Sequence, residues 1–64
     1  MKVQIQKLDG DWLTVSRHKR WQDAHFDAER WATLYPDLPV RTHGRVGTGV
    51  AIDWFTKKGI PQNV

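Results

Sequence analysis

The sequence predicts a small α+β domain, in which one amphipathic helix packs on one face of an antiparallel sheet of three to four strands, ordered ββαβ or ββαββ along the chain. Three observations predict this class. The N-terminal stretches alternate apolar and polar residues, as half-buried strands do. The central stretch repeats apolar residues at helical spacing. With 64 residues, the chain is long enough for one small core only.

The helix is predicted over residues 21–35. At about 100° per residue, its apolar residues and one histidine fall within an arc of roughly 120°. These residues are Trp21, Ala24, His25, Ala28, Trp31, Ala32 and Tyr35. The alanines let the helix approach a sheet, and the aromatic residues fill the gaps on either side. Pro36 cannot continue the hydrogen-bond ladder, so the helix ends at or just before Tyr35.

The residues that precede the helix do not suit its N-terminus. Residues 17–20 are all potentially cationic, and none of them is the Ser, Thr, Asp or Asn expected as an N-cap. Cations at this end also interact unfavourably with the helix dipole, by a few tenths of a kcal/mol, which Asp23 in the first turn partly offsets. Local inconsistencies of this kind are modestly enriched at functional sites.

The first two strands are predicted over residues 2–8 and 12–17, and the loop between them decides their register. A two-residue loop at Asp9-Gly10 would mix apolar and polar faces. A three-residue loop that begins at Leu8 sets Ile5 opposite Leu13 and Val3 opposite Val15, and it places Gly10 where a positive φ is needed. The three-residue loop is therefore preferred.

The second half of the chain is less regular. Residues 40–43 are predicted as a short strand, and the glycines at 44, 47 and 49 predict a flexible loop or a bulged hairpin turn. Residues 50–55 alternate and are a fourth strand candidate, although the sequence does not decide whether residues 46–55 form a regular strand. Residues 1–56 are predicted to be one domain, and residues 57–64 a loosely packed or frayed tail.

The composition and charge of the chain limit the classes of function that fit it. The net charge is +3, from ten Lys and Arg against seven Asp and Glu, which favours acidic partners without establishing nucleic-acid binding. The chain has no cysteine, which excludes disulfides and thiolate metal sites and suits a reducing compartment. The N-terminal residues alternate between apolar and polar, which is not the pattern of a signal peptide. No stretch of the sequence approaches the roughly 18 apolar residues of a membrane span. A cytoplasmic location is expected.

The outer side of the helix carries a candidate protein-binding surface. Phe26, Arg30 and Leu34 lie four residues apart, opposite the core stripe, and aromatic and arginine anchors carry much of the energy of protein interfaces. The basic residues Arg17, Lys19 and Arg20 at the base of the helix extend this candidate site. The alternative is that the C-terminal arm, with Phe55 or Ile60, folds over the same face.

The basic residues also suggest a nucleic-acid interface, if the fold gathers them near one end of the sheet. With Trp12 nearby, phosphate contacts could combine with base stacking. The alternative is an ordinary solvated surface, and the sequence motifs of common RNA-binding folds and helix-turn-helix domains are missing. The candidate residues are Arg17, His18, Lys19, Arg20, Arg41, Arg45, Lys57 and Lys58.

Catalytic and metal sites are not predicted, and no cofactor is expected. His18, His25 and His43 lack the spacing of a metal site. Ser16, the only serine, lies on a strand facing away from Leu13 and Val15 and has no nucleophile-elbow context. The glycines are not followed by the Gly-Lys-Ser/Thr of a phosphate loop. The chain is expected not to be an enzyme.

Residues 8–41 resemble small uncharacterised proteins carried by bacteriophages and prophages. The resemblance rests on the sequence GDWLTV, on the three alanines of the helix and on the sequence YPDLPVR. This resemblance implies an accessory protein that binds and inhibits a host enzyme, a transcription component or a defence complex, including CRISPR complexes. We therefore expect a non-enzymatic protein, in the host cytoplasm if phage-encoded, whose partner is a host protein or nucleoprotein complex. Direct nucleic-acid binding is the alternative. A monomer and a homodimer formed by edge pairing or by helix packing both remain open.

Overall fold

The computed structural model describes residues 1–55 and has the order ββαββ. The elements are β1 (Lys2–Gln6), β2 (Trp12–Arg17), α1 (Trp21–Leu34), β3 (Val40–Val46) and β4 (Gly49–Trp54). The four strands form one antiparallel sheet in the order β2-β1-β3-β4, and α1 packs across one face of it. The predicted α+β class is confirmed, with four strands rather than three.

The core lies between α1 and the two central strands. Val3 and Ile5 of β1 and Val40 of β3 meet Ala24 and Ala28 of α1, and both alanines are fully buried. The small alanine side chains let the helix backbone lie close to the sheet, as the sequence predicts. Trp21, His25 and Trp31 of the same stripe are partly buried. Tyr35, which the sequence also placed in the stripe, is 47% exposed because the helix ends before it.

The hairpin between β1 and β2 has the predicted three-residue loop. Lys7 N–H donates to the carbonyl of Asp11 at 2.8 Å, Ile5 pairs with Leu13, and Gly10 has a φ of 96°. The strand β1 ends at Gln6, two residues before the predicted end at Leu8.

One part of the predicted register is wrong. Val3 pairs with Ser16 and not with Val15, because the register shifts between Val3 and Gln4 and leaves an extra residue in β2. This β-bulge places both Val15 and Ser16 on the side of α1, so the alternation of β2 restarts one residue later. The prediction that Ser16 faces away from Leu13 and Val15 is therefore also wrong.

The predicted glycine loop is shorter than expected. The strand β3 continues through Gly44 to Val46, and only Gly47 and Thr48 form the turn to β4. Gly47 has a φ of 61° at the first turn position, where glycine is favoured. A Cβ on Gly44 would lie 3.2 Å from two ring atoms of Trp21, so this glycine makes room for a tryptophan rather than breaking the strand.

The ends of α1 are as predicted from the sequence. Arg20 is the N-cap residue, with extended backbone (φ −110°, ψ 141°) and no side-chain capping hydrogen bond. The helix ends at Leu34, and the N–H of Tyr35 donates to the carbonyl of Trp31 at 2.9 Å before Pro36. The predicted tail of residues 57–64 and the proposed covering role of Ile60 lie outside the described residues.

Candidate nucleic-acid interface

The face of the sheet opposite α1 is not covered by a helix in residues 1–55 and is called the open face below. Residues that pair directly across antiparallel strands point to the same side of a sheet. The register therefore assigns to the open face Lys2, Gln4 and Gln6 of β1, Trp12, Thr14 and Arg17 of β2, Arg41, His43 and Arg45 of β3, and Val50, Ile52 and Trp54 of β4.

Two tryptophans from opposite edges of the sheet meet on the open face. The ring centroids of Trp12, on β2, and Trp54, on β4, lie 5.6 Å apart with the ring planes tilted by 53°. The guanidinium carbon of Arg41 lies 3.8 Å from the Trp12 ring centroid and 5.9 Å from that of Trp54. We call these three residues the Trp–Arg cluster. Contacts of this kind combine cation–π attraction with planar stacking.

The sheet beneath the Trp–Arg cluster holds its arginine in place. Arg41 Nε donates a hydrogen bond to Gln4 Oε1 at 2.8 Å, and Gln4 Nε2 donates to Thr14 Oγ1 at 3.1 Å. Burial lowers the pKa of Arg41 from its usual value, but an arginine remains charged at neutral pH. The cluster is therefore a pre-positioned surface of π-faces around a fixed positive charge.

A concave cationic region lies at the end of the open face where β1 begins and β2 ends. Its cavity has a volume of about 560 Å³ and is lined by Met1, Lys2, Arg17, His43, Gly44 and Arg45. We call it the cationic pocket. Burial lowers the pKa of His43, and the positive charges of Arg41 and Lys2 lower it further. The pocket therefore concentrates positive charge that no carboxylate among its lining residues neutralises.

The β-bulge is the reason that Arg17 belongs to the cationic pocket. Because Val15 and Ser16 both lie opposite Val3, Arg17 pairs with Lys2 and shares the open face with it. Regular alternation from Leu13 would have turned Arg17 towards the helix. In this sequence the bulge therefore keeps Arg17 paired with Lys2, on the same face as the other basic side chains of the pocket.

The acidic residues of the described chain lie away from the open face. Asp53 is on the other side of β4, where one carboxylate oxygen lies 3.1 Å from His25 Nε2 of α1. The others are Asp9, Asp11 and Asp37, outside the strands and the helix, and Asp23, Asp27 and Glu29 on α1. The open face carries Lys2, Arg17, Arg41 and Arg45 with no Asp or Glu, so these four positive charges on one face exceed the net charge of +3 of the whole chain.

The residues predicted for protein binding lie on the outer side of α1. Phe26 is 72% exposed and Leu34 is 63% exposed. Between them, Arg30 donates a hydrogen bond to Asp27 Oδ1 at 2.7 Å. Lys19 and Arg20 are exposed in the connection between β2 and α1. Phe55, proposed as a possible cover for the Phe26 surface, instead packs against the core and lies edge-on to His25.

The residues predicted for nucleic-acid binding do not form one cluster. Arg17, Arg41 and Arg45 share the open face, whereas Lys19 and Arg20 lie in the connection before α1. Lys57 and Lys58 lie outside the described residues. Lys2, His43 and Trp54 share the open face but were not among the residues predicted from the sequence, although the alternation of each strand places each of them on a definite side. The missing information was the order of the strands.

His18, another of the predicted residues, is turned towards the helix. Its Nε2 lies 3.2 Å from Asp27 Oδ2 and 3.0 Å from Ser16 Oγ, and Ser16 Oγ donates to the same carboxylate oxygen. Burial raises the pKa of Asp27, but the hydrogen bonds from Ser16 and His18, with the nearby charge of Arg30, outweigh burial and lower it overall. Since the serine proton is directed to the carboxylate, this group ties β2 to α1.

Residues 1–55 have neither a metal-binding cluster nor a membrane-spanning helix. No group of three or more histidine, cysteine or acidic side chains is arranged to hold a metal ion there. The same residues include no helix that combines the length and the apolar character needed to cross a membrane.

Comparisons of the chain with protein-family models, with curated proteins and with solved structures found no match. The resemblance to phage and prophage accessory proteins therefore stays a sequence-based prediction, and the function proposed below rests on the open face.

Proposed function

We propose that this domain binds single-stranded nucleic acid on the open face, with bases stacked on the Trp–Arg cluster and phosphates held by the surrounding cations. One observation carries the proposal: two tryptophans and four basic side chains share one sheet face that no helix of residues 1–55 covers and that holds none of their acidic residues. Aromatic side chains accept bases of any sequence, and Lys and Arg neutralise phosphates.

The shape of the open face favours a single strand over a duplex. Neighbouring strands are about 4.8 Å apart, so four strands present a surface about 14 Å across. In residues 1–55 no helix or long loop projects from it to enter a groove, whereas readout of duplex DNA relies on a helix or ribbon inserted there. A single strand exposes the faces of its bases, which a sheet with aromatic residues can stack.

The charge of the open face sets the expected salt dependence. If Lys2, Arg17, Arg41 and Arg45 each neutralise one phosphate, the logarithm of the binding constant falls with the logarithm of salt concentration with a slope of about −2.8. Between about 50 and 200 mM salt, the affinity should then fall about 50-fold. Much weaker dependence would mean that the open face contacts few phosphates.

The test is a titration of end-labelled single-stranded DNA, single-stranded RNA and duplex DNA, followed by fluorescence anisotropy at both salt concentrations. We expect the single strands to bind more tightly than the duplex. Arg45→Gln should weaken binding and reduce the salt slope by about 0.7. Lys7→Gln, which removes the same charge from the β1–β2 loop, is the matched control. Equal losses in the two variants, or no binding at all, would refute the proposal.

A second candidate function is the binding of a host protein or nucleoprotein complex through the outer side of α1, as in a phage-type inhibitor. The exposure of Phe26 and Leu34 on either side of Arg30 supports it. Arg17, Lys19 and Arg20 would extend this surface, although Arg17 lies on the open face. Both candidates place the protein in the cytoplasm, as a non-enzymatic binding protein.

The second candidate function predicts that one variant loses binding and another loses stability. Phe26→Ala should abolish capture of a host partner while leaving the free energy of unfolding nearly unchanged, because the side chain is exposed. Trp31→Ala should instead destabilise the fold by about 3–5 kcal/mol. Pull-down from host lysate and urea denaturation measure the two effects. If Phe26→Ala unfolds the domain as severely as Trp31→Ala, the helix surface is structural.

A further inference from the structure

We propose that the cationic pocket binds a terminal phosphate monoester, so that the domain prefers a nucleic-acid strand with a phosphorylated end. This inference rests on the function proposed above and adds a ligand to one part of the open face. The pocket is concave and lies at one end of β1, β2 and β3, whereas the Trp–Arg cluster lies further along the sheet, on β2, β3 and β4.

The walls of the cationic pocket are held together by backbone hydrogen bonds. The N-terminal amine of Met1 donates to the carbonyl of His18 at 2.7 Å, and the N–H of His18 donates to the carbonyl of Met1 at 2.8 Å. This pairing fixes the start of β1 beside the end of β2. Lys2 and Arg17 are therefore held on the same side before any ligand arrives, which lowers the entropy lost on binding.

The charge of the pocket matches a monoester better than an internal phosphodiester. A phosphate monoester carries about −1.5 to −2 charges at neutral pH and offers three terminal oxygens. An internal phosphodiester carries one charge and has two of its oxygens bonded to carbon. Lys2, Arg17, His43 and Arg45 can together donate to more acceptors than a phosphodiester presents, and the bidentate geometry of arginine suits a terminal phosphate.

The distance from the pocket to the Trp–Arg cluster suits a strand that begins in the pocket. The pair Lys2 and His43 lies two residues along the sheet from the pair Gln4 and Arg41, a distance of about 7 Å. Trp12 lies opposite Gln6, about 13 Å from Lys2. The first one or two nucleotides of a strand span these distances, so the following bases reach the indole rings while the terminal phosphate occupies the pocket.

The experiment compares one single-stranded oligonucleotide sequence in three forms: with hydroxyl groups at both ends, with a 5′-phosphate and with a 3′-phosphate. Binding is measured by anisotropy of an internal label at constant salt. We expect one phosphorylated form to bind about tenfold more tightly than the hydroxyl form, as one additional charge-assisted hydrogen bond would give. The end that gives the preference identifies the direction of the strand.

Two variants test whether the preference for a phosphorylated end arises in the cationic pocket. Arg17→Gln should weaken binding of all three forms and reduce the preference for the phosphorylated end to less than twofold. Lys7→Gln, with the same change in charge outside the open face, should keep the preference. Inorganic pyrophosphate should compete with the phosphorylated form more effectively than with the hydroxyl form, whereas competition equal for all forms would indicate general anion screening and overturn the inference.

The remaining outcomes separate this inference from the proposed function. If all three oligonucleotides bind equally tightly, the pocket does not recognise a terminal phosphate, although single-strand binding stands. If the preference persists in Arg17→Gln, the phosphate is bound elsewhere and the inference is wrong. If none of the oligonucleotides binds, both the inference and the proposed function fail.

Discussion

Replacing Arg20 with serine should stabilise the domain, because Arg20 occupies the N-cap position of α1 without capping it. Its backbone is already extended, as an N-cap requires, and no side-chain hydrogen bond reaches the first turn. A serine hydroxyl there can accept a hydrogen bond from the N–H of Gln22 or Asp23. Such a bond contributes about 1 kcal/mol, and removing a cation from this end of the helix adds a few tenths.

The expected gain is therefore about 1–1.5 kcal/mol in the free energy of unfolding. For a domain of this size it corresponds to a rise in Tm of about 4–8 °C for each kcal/mol. Thermal and urea denaturation, followed by tryptophan fluorescence and far-ultraviolet circular dichroism, measure the change. The two signals should change together if unfolding is two-state.

Lys19→Ser is the matched control for Arg20→Ser. It removes the same charge one residue earlier, where a hydroxyl cannot reach the first turn of α1. A gain confined to Arg20→Ser would identify capping as the cause. Equal gains in both variants would assign the effect to charge, and an unchanged or lower stability of Arg20→Ser would refute the capping argument.

Three further predictions concern stability. Gly44→Val should cost about 1–3 kcal/mol in urea denaturation, because its Cβ would press on the Trp21 ring, whereas Gly49→Val, with no Cβ contact closer than 3.6 Å, should be tolerated. Asp27→Asn should cost about 1.5–3 kcal/mol at neutral pH. Because the pKa of Asp27 is lowered by folding, that difference should shrink as the pH falls below the carboxyl's ordinary value of 3.8. The pKa of His43 is also lowered by folding, so the unfolded chain binds the proton more readily and stability should fall below about pH 6.5, but less in His43→Gln.

The local features of the fold were predictable from the sequence. Period-two alternation identified β1 and β2, and helical spacing with Pro36 identified α1 and its end. The preferred loop around Gly10 gave the pairing of Ile5 with Leu13, because a turn of known length determines the register next to it. Each of these inferences depends on residues that are close together in the chain.

The predictions that were wrong or missing concern contacts between residues that are distant in the sequence. The sequence predicts Gly44 in a loop, since glycine usually interrupts strands, but in this fold Gly44 lies within β3 under Trp21. The β-bulge at Val15 has no residue type that marks it. Trp12 contacts Trp54 because the strands are ordered β2-β1-β3-β4. The alternation of residues within a single strand gives no information about the order of the strands.

The β-bulge also has a consequence for the loss of one residue from β2. Val15 is the extra residue of β2, and the residues on either side of it pair with consecutive residues of β1. Loss of Val15 would let Thr14 and Ser16 pair with Gln4 and Val3 as they do now, in an uninterrupted ladder. Deletion of Val15 should therefore leave Arg17 on the open face and the net charge of +3 unchanged, and its only structural cost is the contact of Val15 with the core.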